Sequence, residues 1–186
     1  MQKYNRNIIA PLCLSICCVV MLVGCSKKNA QIRYLNIPSN LLQLNFEYDT
    51  TFYGIDSRFK IVAYYDSTIC NNCVLKNIGN WYKVANLVEN NCNLMSLLII
   101  FSPKKDDLNE LLYSLNDNPL DYPLFVDTVG AFSVMNPVLS GIGSYVALLD
   151  SLNNVIIEGN PLFDREIFYE YERIINNYQN YETFKY

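Results

Sequence analysis

The run Phe59-Lys60-Ile61-Val62-Ala63-Tyr64-Tyr65 is strand-like and mostly apolar, and it leads almost directly into Ile69-Cys70-Asn71-Asn72-Cys73-Val74. From there Val74, Leu75, Ile78, Trp81, Tyr82, Ala85 and Val88 recur at helical offsets as far as about Glu89. One face of that helix therefore packs inward. The pattern puts a C-x-x-C pair where a core strand ends and a helix begins. Two thiols so placed can form and break a disulfide, which makes the chain a candidate thiol–disulfide protein.

The rest of the pattern continues the alternation of strand and helix. Gln31 to Ile37 reads as a short strand before Pro38, and Leu42, Leu44, Phe46 and Tyr48 alternate with polar residues as a half-buried strand does. Gly54-Ile55-Asp56-Ser57 reads as a turn. Leu94 to Phe101 is a continuous apolar run, the mark of a strand covered on both faces. Leu108, Leu111, Leu112 and Leu115 form an amphipathic helix opened by Asp106 and Asp107, where the helix dipole favours acids. Tyr122 to Asp127 reads as a short strand and Ala131 to Asn136 as one or two helical turns. Ser144 to Asp150 and Val155 to Glu158 make a hairpin about a turn at Ser151 to Asn154. Ile167, Phe168, Tyr171, Ile174, Ile175 and Tyr178 mark a last helix. Early β-α-β crossovers predict parallel strands and the hairpin adds an antiparallel one. The expected fold is α/β, a mixed sheet with helices on both faces.

The first 24 residues read as a removable leader. Lys3 and Arg6 precede an apolar stretch from Ile8 to Val23 that ends in Leu22-Val23-Gly24-Cys25, the layout of a secretory signal. That ending resembles the lipobox of bacterial lipoproteins. The resemblance implies cleavage before Cys25, lipidation of Cys25 and a domain held at a membrane outside the cytoplasm. Ser26 fits sorting to the outer membrane, and with Lys27 and Lys28 following, the periplasmic side is expected. An uncleaved N-terminal anchor is the other reading. The remaining chain, about 160 residues, is a single-domain length. Residues 25–45 are expected to form a tether, and 46–186 the domain.

Of seven cysteines, Cys13, Cys17 and Cys18 leave with the leader, and Cys70, Cys73 and Cys92 remain as thiols of the fold. An exported compartment favours oxidised pairs. Cys92 stands roughly 28 Å beyond Cys73 along a helix, out of disulfide reach, and is expected to be a buried or end-of-helix free thiol. The chain has no histidine, which excludes Ser-His-Asp and Cys-His catalysis and the commonest zinc ligand. No cofactor is expected. A net charge of −4 argues against a nucleic-acid partner.

From about Phe46 to Tyr181 the order and spacing of these features resemble the thioredoxin-like superfamily, in particular its exported TlpA/ResA-like thiol–disulfide proteins. The cysteine pair lies between the first core strand and the first helix. A helix and strand, Asp106 to Asp127, follow the second core strand. Tyr145-Val146-Ala147-Leu148-Leu149-Asp150 with Asn153-Asn154-Val155-Ile156, closed by Gly159-Asn160-Pro161, looks like the family hairpin. The resemblance implies protein thiols or disulfides as partners. The chain also departs from the family. The cis-proline that usually precedes the hairpin strand is replaced in the Gly141-Ile142-Gly143-Ser144 loop, with Ser144 and Tyr145 at the equivalent place. A cis bond without proline costs ~2.5–4 kcal/mol, so Ser144 is expected trans. Ile69 replaces the aromatic before the first cysteine, Asn72 the proline before the second, and Tyr64 an often acidic buried position.

In an active site of this kind Cys70 attacks as thiolate, favoured by unpaired N–H groups at the helix start. Cys73, expected to be more buried, resolves the mixed disulfide. Asp66 either relays a proton, disfavours the thiolate or is a solvated loop acid. Lys76 either assists the thiolate or lies on the helix surface. Three functional readings follow. The first is membrane-anchored thiol–disulfide exchange through Cys70 and Cys73. The second is a non-catalytic thioredoxin-like lipoprotein that binds a protein partner, its pair a structural or vestigial disulfide. The third is a transient thiol carrier for copper or heme maturation.

Overall fold

The computed structural model describes residues 32–44, 56–115, 120 and 122–183. The expected leader and Cys25, Phe46 and Tyr48 of the strand expected from Leu42, and Gly54 and Ile55 of the turn expected at Gly54 to Ser57 lie outside the described residues. A six-stranded mixed sheet forms the centre, built from β1 (Leu42–Leu44), β2 (Phe59–Tyr65), β3 (Met95–Phe101), β4 (Leu124–Val126), β5 (Ser144–Asp150) and β6 (Val155–Glu158), in the order β1-β4-β3-β2-β5-β6. β2 runs parallel to β3, pairing Phe59 with Met95 through Tyr65 with Phe101. On its other side β2 is antiparallel to β5, pairing Phe59 with Asp150 through Tyr65 with Ser144. β4 is parallel to β3, and β1 is antiparallel to β4 at one edge. The hairpin partner β6 closes the other edge, with a bulge between Leu148 and Leu149.

Every residue of β2 and β3 is buried, as expected of central strands covered on both faces. Alternate side chains enter two separate cores. Phe59, Ile61, Ala63 and Tyr65 join one core, against Ile78, Trp81, Val84 and Val88 and against Phe168, Tyr171 and Ile175. Val62 and Tyr64 join the other, where Phe132, Leu139, Ile32 and Leu35 cover the sheet. Ile32 and Leu35 are buried, Tyr34 bridges Asn154, and β1 belongs to the sheet. Residues 32–44 are therefore part of the fold and not a free tether, because their apolar side chains close the second core. The strand expected over Gln31 to Ile37 is only that bridge.

The long helix expected after the cysteines is broken in three: α1 (Asn71–Lys76), a 3-10 turn at Ile78–Trp81 and α2 (Tyr82–Glu89). Asn77 ends α1, and its side-chain Nδ2 donates to the Cys73 carbonyl at 2.9 Å. That local bond competes with helix continuation, and Gly79 follows, a weak helix former. The apolar stripe survives the break, since Ile78, Trp81, Val84, Ala85 and Val88 all stay buried. After β3, a 3-10 turn at Lys105–Asp107 leads into α3 (Leu108–Leu115). α4 (Ala131–Met135) and a 3-10 turn at Pro137–Leu139 precede β5. The last helix, α5 (Arg165–Thr183), is the longest described.

Lys60 is the one charged residue in β2, and it is buried. Its Nζ donates to the carbonyls of Asp150 and Ser151 at 3.2 and 3.0 Å and to Asn153 Oδ1 at 2.8 Å. All three ammonium protons are thereby used, as a buried charge requires. Asn153, at φ 66°, adopts the left-handed conformation of the turn.

Candidate active site

Cys70 N-caps α1, and its Sγ accepts the Cys73 backbone N–H at 3.2 Å. The two cysteines form a disulfide with Cα atoms 5.2 Å apart, within the usual range. Both cysteines are exposed. Cys73, expected to be buried, is exposed like Cys70, because α1 is a short helix at the surface. Lys76 lies exposed at the end of α1. Cys92 is a free, exposed thiol after the end of α2.

The pair borders a groove of about 510 Å³. Its walls are Ile69 and Val74 beside the cysteines, Tyr65 and Trp81 beneath, Ser144 from β5, and Asn160, Leu162 and Phe163 from the loop after the hairpin, with Asn77 and Asn80. None of these side chains is charged. Phe163 projects from the rim and is 85% exposed. Its loop is fixed from below, because Asn160 Oδ1 accepts from Leu162 N at 2.9 Å and Tyr171 Oη donates to the Gly159 carbonyl at 2.9 Å.

Tyr65 was not singled out by sequence reasoning, which pointed to Tyr64 as the buried position near the pair. Strand parity decides between them. Tyr64 faces the opposite core and stacks on Phe132 at 4.5 Å between ring centroids. Tyr65 faces the groove, and Trp81 Nε1 donates to its hydroxyl at 3.1 Å. Burial pushes the Tyr65 phenol up to about 12, against the opposing effect of the Trp81 hydrogen bond. It stays protonated at neutral pH.

Among the described residues every peptide bond is trans, Ser144 included. Ser144 lies opposite Tyr65 in the β2–β5 register and lines the groove. Tyr145, expected with it, does not join the site: its side chain is buried in the opposite core, its hydroxyl has no hydrogen-bond partner, and burial raises its pKa. Gly143, at φ 84°, approaches Ile69 so closely that an added Cβ would lie 2.8 Å from Ile69 Cγ2.

Asp66 is not a solvated loop acid. It is buried, and its Oδ1 accepts from Thr68 N at 2.7 Å and Thr68 Oγ1 at 2.5 Å. Its Oδ2 accepts from Gly143 N at 3.1 Å, while its own N–H donates to the Gly143 carbonyl at 2.8 Å. Burial alone would raise its pKa, but the hydrogen bonds from Thr68, Gly143 and Gly141 outweigh it and hold the carboxyl below the usual range.

No family model matches the chain, and no curated protein matches it. Solved structures do. One is the oxidised form of a thioredoxin-like protein, 14% identical with a TM-score of 0.51, covering 79% of this chain and 97% of its own. A second, from Chlorobium tepidum, is provisionally named a thiol:disulfide interchange protein DsbE. It is 10% identical with a TM-score of 0.52, covering 78% of this chain and 99% of its own. A third is the C-terminal domain of a Bacteroides thetaiotaomicron protein provisionally named a thiol-disulfide oxidoreductase. It is 11% identical with a TM-score of 0.51, covering 80% of this chain and 99% of its own. The mixed sheet and its helices are thioredoxin-like.

Proposed function

We propose that the chain carries out thiol–disulfide exchange through Cys70 and Cys73, with proteins as its partners. The observation that carries this reading is an exposed Cys70–Cys73 disulfide bordering an uncharged groove, at the N-cap of the helix that follows a core strand. In the oxidised protein a partner thiolate attacks Cys70 Sγ. A partner–Cys70 disulfide forms, the Cys70–Cys73 bond breaks, and the bonding pair leaves on Cys73 as thiolate. A second partner thiol then displaces Cys70. The partner leaves as a disulfide and the chain as a dithiol, with two electrons and two protons transferred. The reverse sequence reduces a partner disulfide, with Cys70 attacking and Cys73 resolving.

Local geometry favours Cys70 as the attacking group. As N-cap it faces backbone N–H groups that the helix leaves unpaired, and the Cys73 N–H already points at its sulfur. α1 has six residues, so this specific N–H counts for more than the summed helix dipole.

The same reading places the domain in the cell envelope, facing the periplasm and anchored through a lipidated Cys25. Its support is the leader ending in Leu22-Val23-Gly24-Cys25. No helix among the described residues is long and apolar enough to cross a membrane. The test of function is dithiothreitol-driven reduction of insulin. Wild-type protein should turn over and Cys70→Ser should not. A wild type without turnover would instead support the partner-binding reading, which the uncharged groove and exposed Phe163 also suit. Under that reading Cys70→Ser and Cys73→Ser leave partner capture intact.

A further inference from the structure

The loop that brings Ser144 to the groove is tied to the loop that brings Cys70 there at one residue, Asp66, through its buried carboxylate and through its backbone N–H, which donates to the Gly143 carbonyl. Asp66 accepts from Thr68 on the cysteine side and from Gly143 on the other, and the nearby Gly141 backbone also favours its charged form. Gly143 presses on Ile69, the residue before Cys70, at a distance that admits no Cβ. The glycine permits this approach, and the carboxylate maintains it. Asp66 itself does not line the cysteine groove. It lines a second cavity of about 720 Å³ together with Tyr64, Ser102 and Ser133. It therefore acts on the sulfurs only through the loops it joins.

We infer that Asp66 is a positioning residue for the exchange reaction: its carboxylate holds the Gly141–Gly143 loop that leads into Ser144, which lines the cysteine groove. The inference rests on the exchange reading above. A carboxylate has the lone pairs to accept all these donors, but an amide does not. In Asp66→Asn one side-chain atom becomes an NH₂ that confronts either the Thr68 or the glycine N–H groups. The side-chain part of the tie then opens on one side, and only the Asp66 N–H to Gly143 carbonyl bond still joins the loops there.

The effect should fall on docking a macromolecular partner and spare the sulfur chemistry. In dithiothreitol-driven reduction of insulin by the full chain, Asp66→Asn should raise KM for insulin about tenfold and change kcat by less than about twofold. Reduction of the Cys70–Cys73 bond by dithiothreitol alone, which needs no groove wall, should keep its rate within about twofold. An unmoved KM overturns the inference. So does a fall in kcat and in the dithiothreitol rate that matches the change in KM, because that marks a general structural loss. If Asp66→Asn does not fold, Gly141→Ala decides. Gly141 is exposed and an added Cβ meets nothing within 4 Å, but its φ of 74° strains any other residue. This variant loosens the same loop and should raise KM about threefold at constant kcat; no rise overturns the inference. An inactive wild type overturns the exchange reading and this inference with it. An active wild type with unmoved KM overturns this inference alone.

Discussion

At the residue scale, the two cysteines are both exposed, and the hydrogen bond at Cys70 tells them apart. Both sulfurs belong to exposed residues, yet among the described residues it is Cys70 that accepts a backbone N–H of α1. A bond of this kind favours the thiolate over the thiol at the sulfur that accepts it. In the reduced protein, iodoacetamide near pH 7 should therefore alkylate Cys70 before Cys73, as peptide mass mapping would show; modification of Cys73 first would reverse the assignment of roles. Cys73→Ser should trap a partner–Cys70 disulfide visible on a non-reducing gel, and Cys70→Ser should not. Tyr65→Phe removes the acceptor of the buried Trp81 N–H and should cost about 1–3 kcal/mol in urea unfolding. The cysteine pair was legible in the sequence because spacing alone reveals it. Tyr65 and Asp66 were not. Choosing Tyr65 over Tyr64 requires the parity of β2, and the role of Asp66 depends on Gly143, 77 positions away in sequence.

At the element scale, the central strands were legible because burial on both faces leaves little choice of side chain. β5 and β6 have the bounds that the sequence predicts, Ser144–Asp150 and Val155–Glu158. The helix after the cysteines was not legible as three pieces, since a stripe of apolar positions persists through a 3-10 turn while Asn77 and Gly79 interrupt the hydrogen bonding. The buried Lys60 likewise runs against strand composition, and its explanation lies in the hairpin turn that it caps. Lys60→Met should leave the carbonyls of Asp150 and Ser151 without this donor and destabilise the domain by about 1–3 kcal/mol. Equilibrium denaturation measures that loss, and hydrogen exchange should localise it to β5 and β6. An unchanged midpoint would show that the turn holds without the ammonium.

At the scale of the whole molecule, two carboxylates link loops to strands and both have depressed pKa values. Burial opposes ionisation of Asp66 and Asp150 alike, but Asp66 is held low by Thr68, Gly143 and Gly141, and Asp150 by Asn154, Leu152 and the Lys60 charge. A depressed folded-state pKa adds stability that is complete above the unfolded value, near 3.8, and disappears as pH falls through the folded value. Tm should therefore hold between pH 7 and 5 and fall below about pH 4. Asp66→Asn should flatten the acid limb, and an equally steep limb in that variant would remove Asp66 from this account. On the proposed lipid anchoring, a chain with Cys25→Ser should lose both palmitate labelling and partition into detergent. Retention of both would exclude Cys25 as the anchor.

On the proposed function the Cys70–Cys73 bond exchanges with partners and is not a permanent brace. Its equilibrium reduction potential in glutathione or dithiothreitol buffers tests this most directly. An exchanging pair should have a value above about −300 mV, within reach of cellular dithiols. A value well below about −300 mV, the range of structural disulfides, would contradict it.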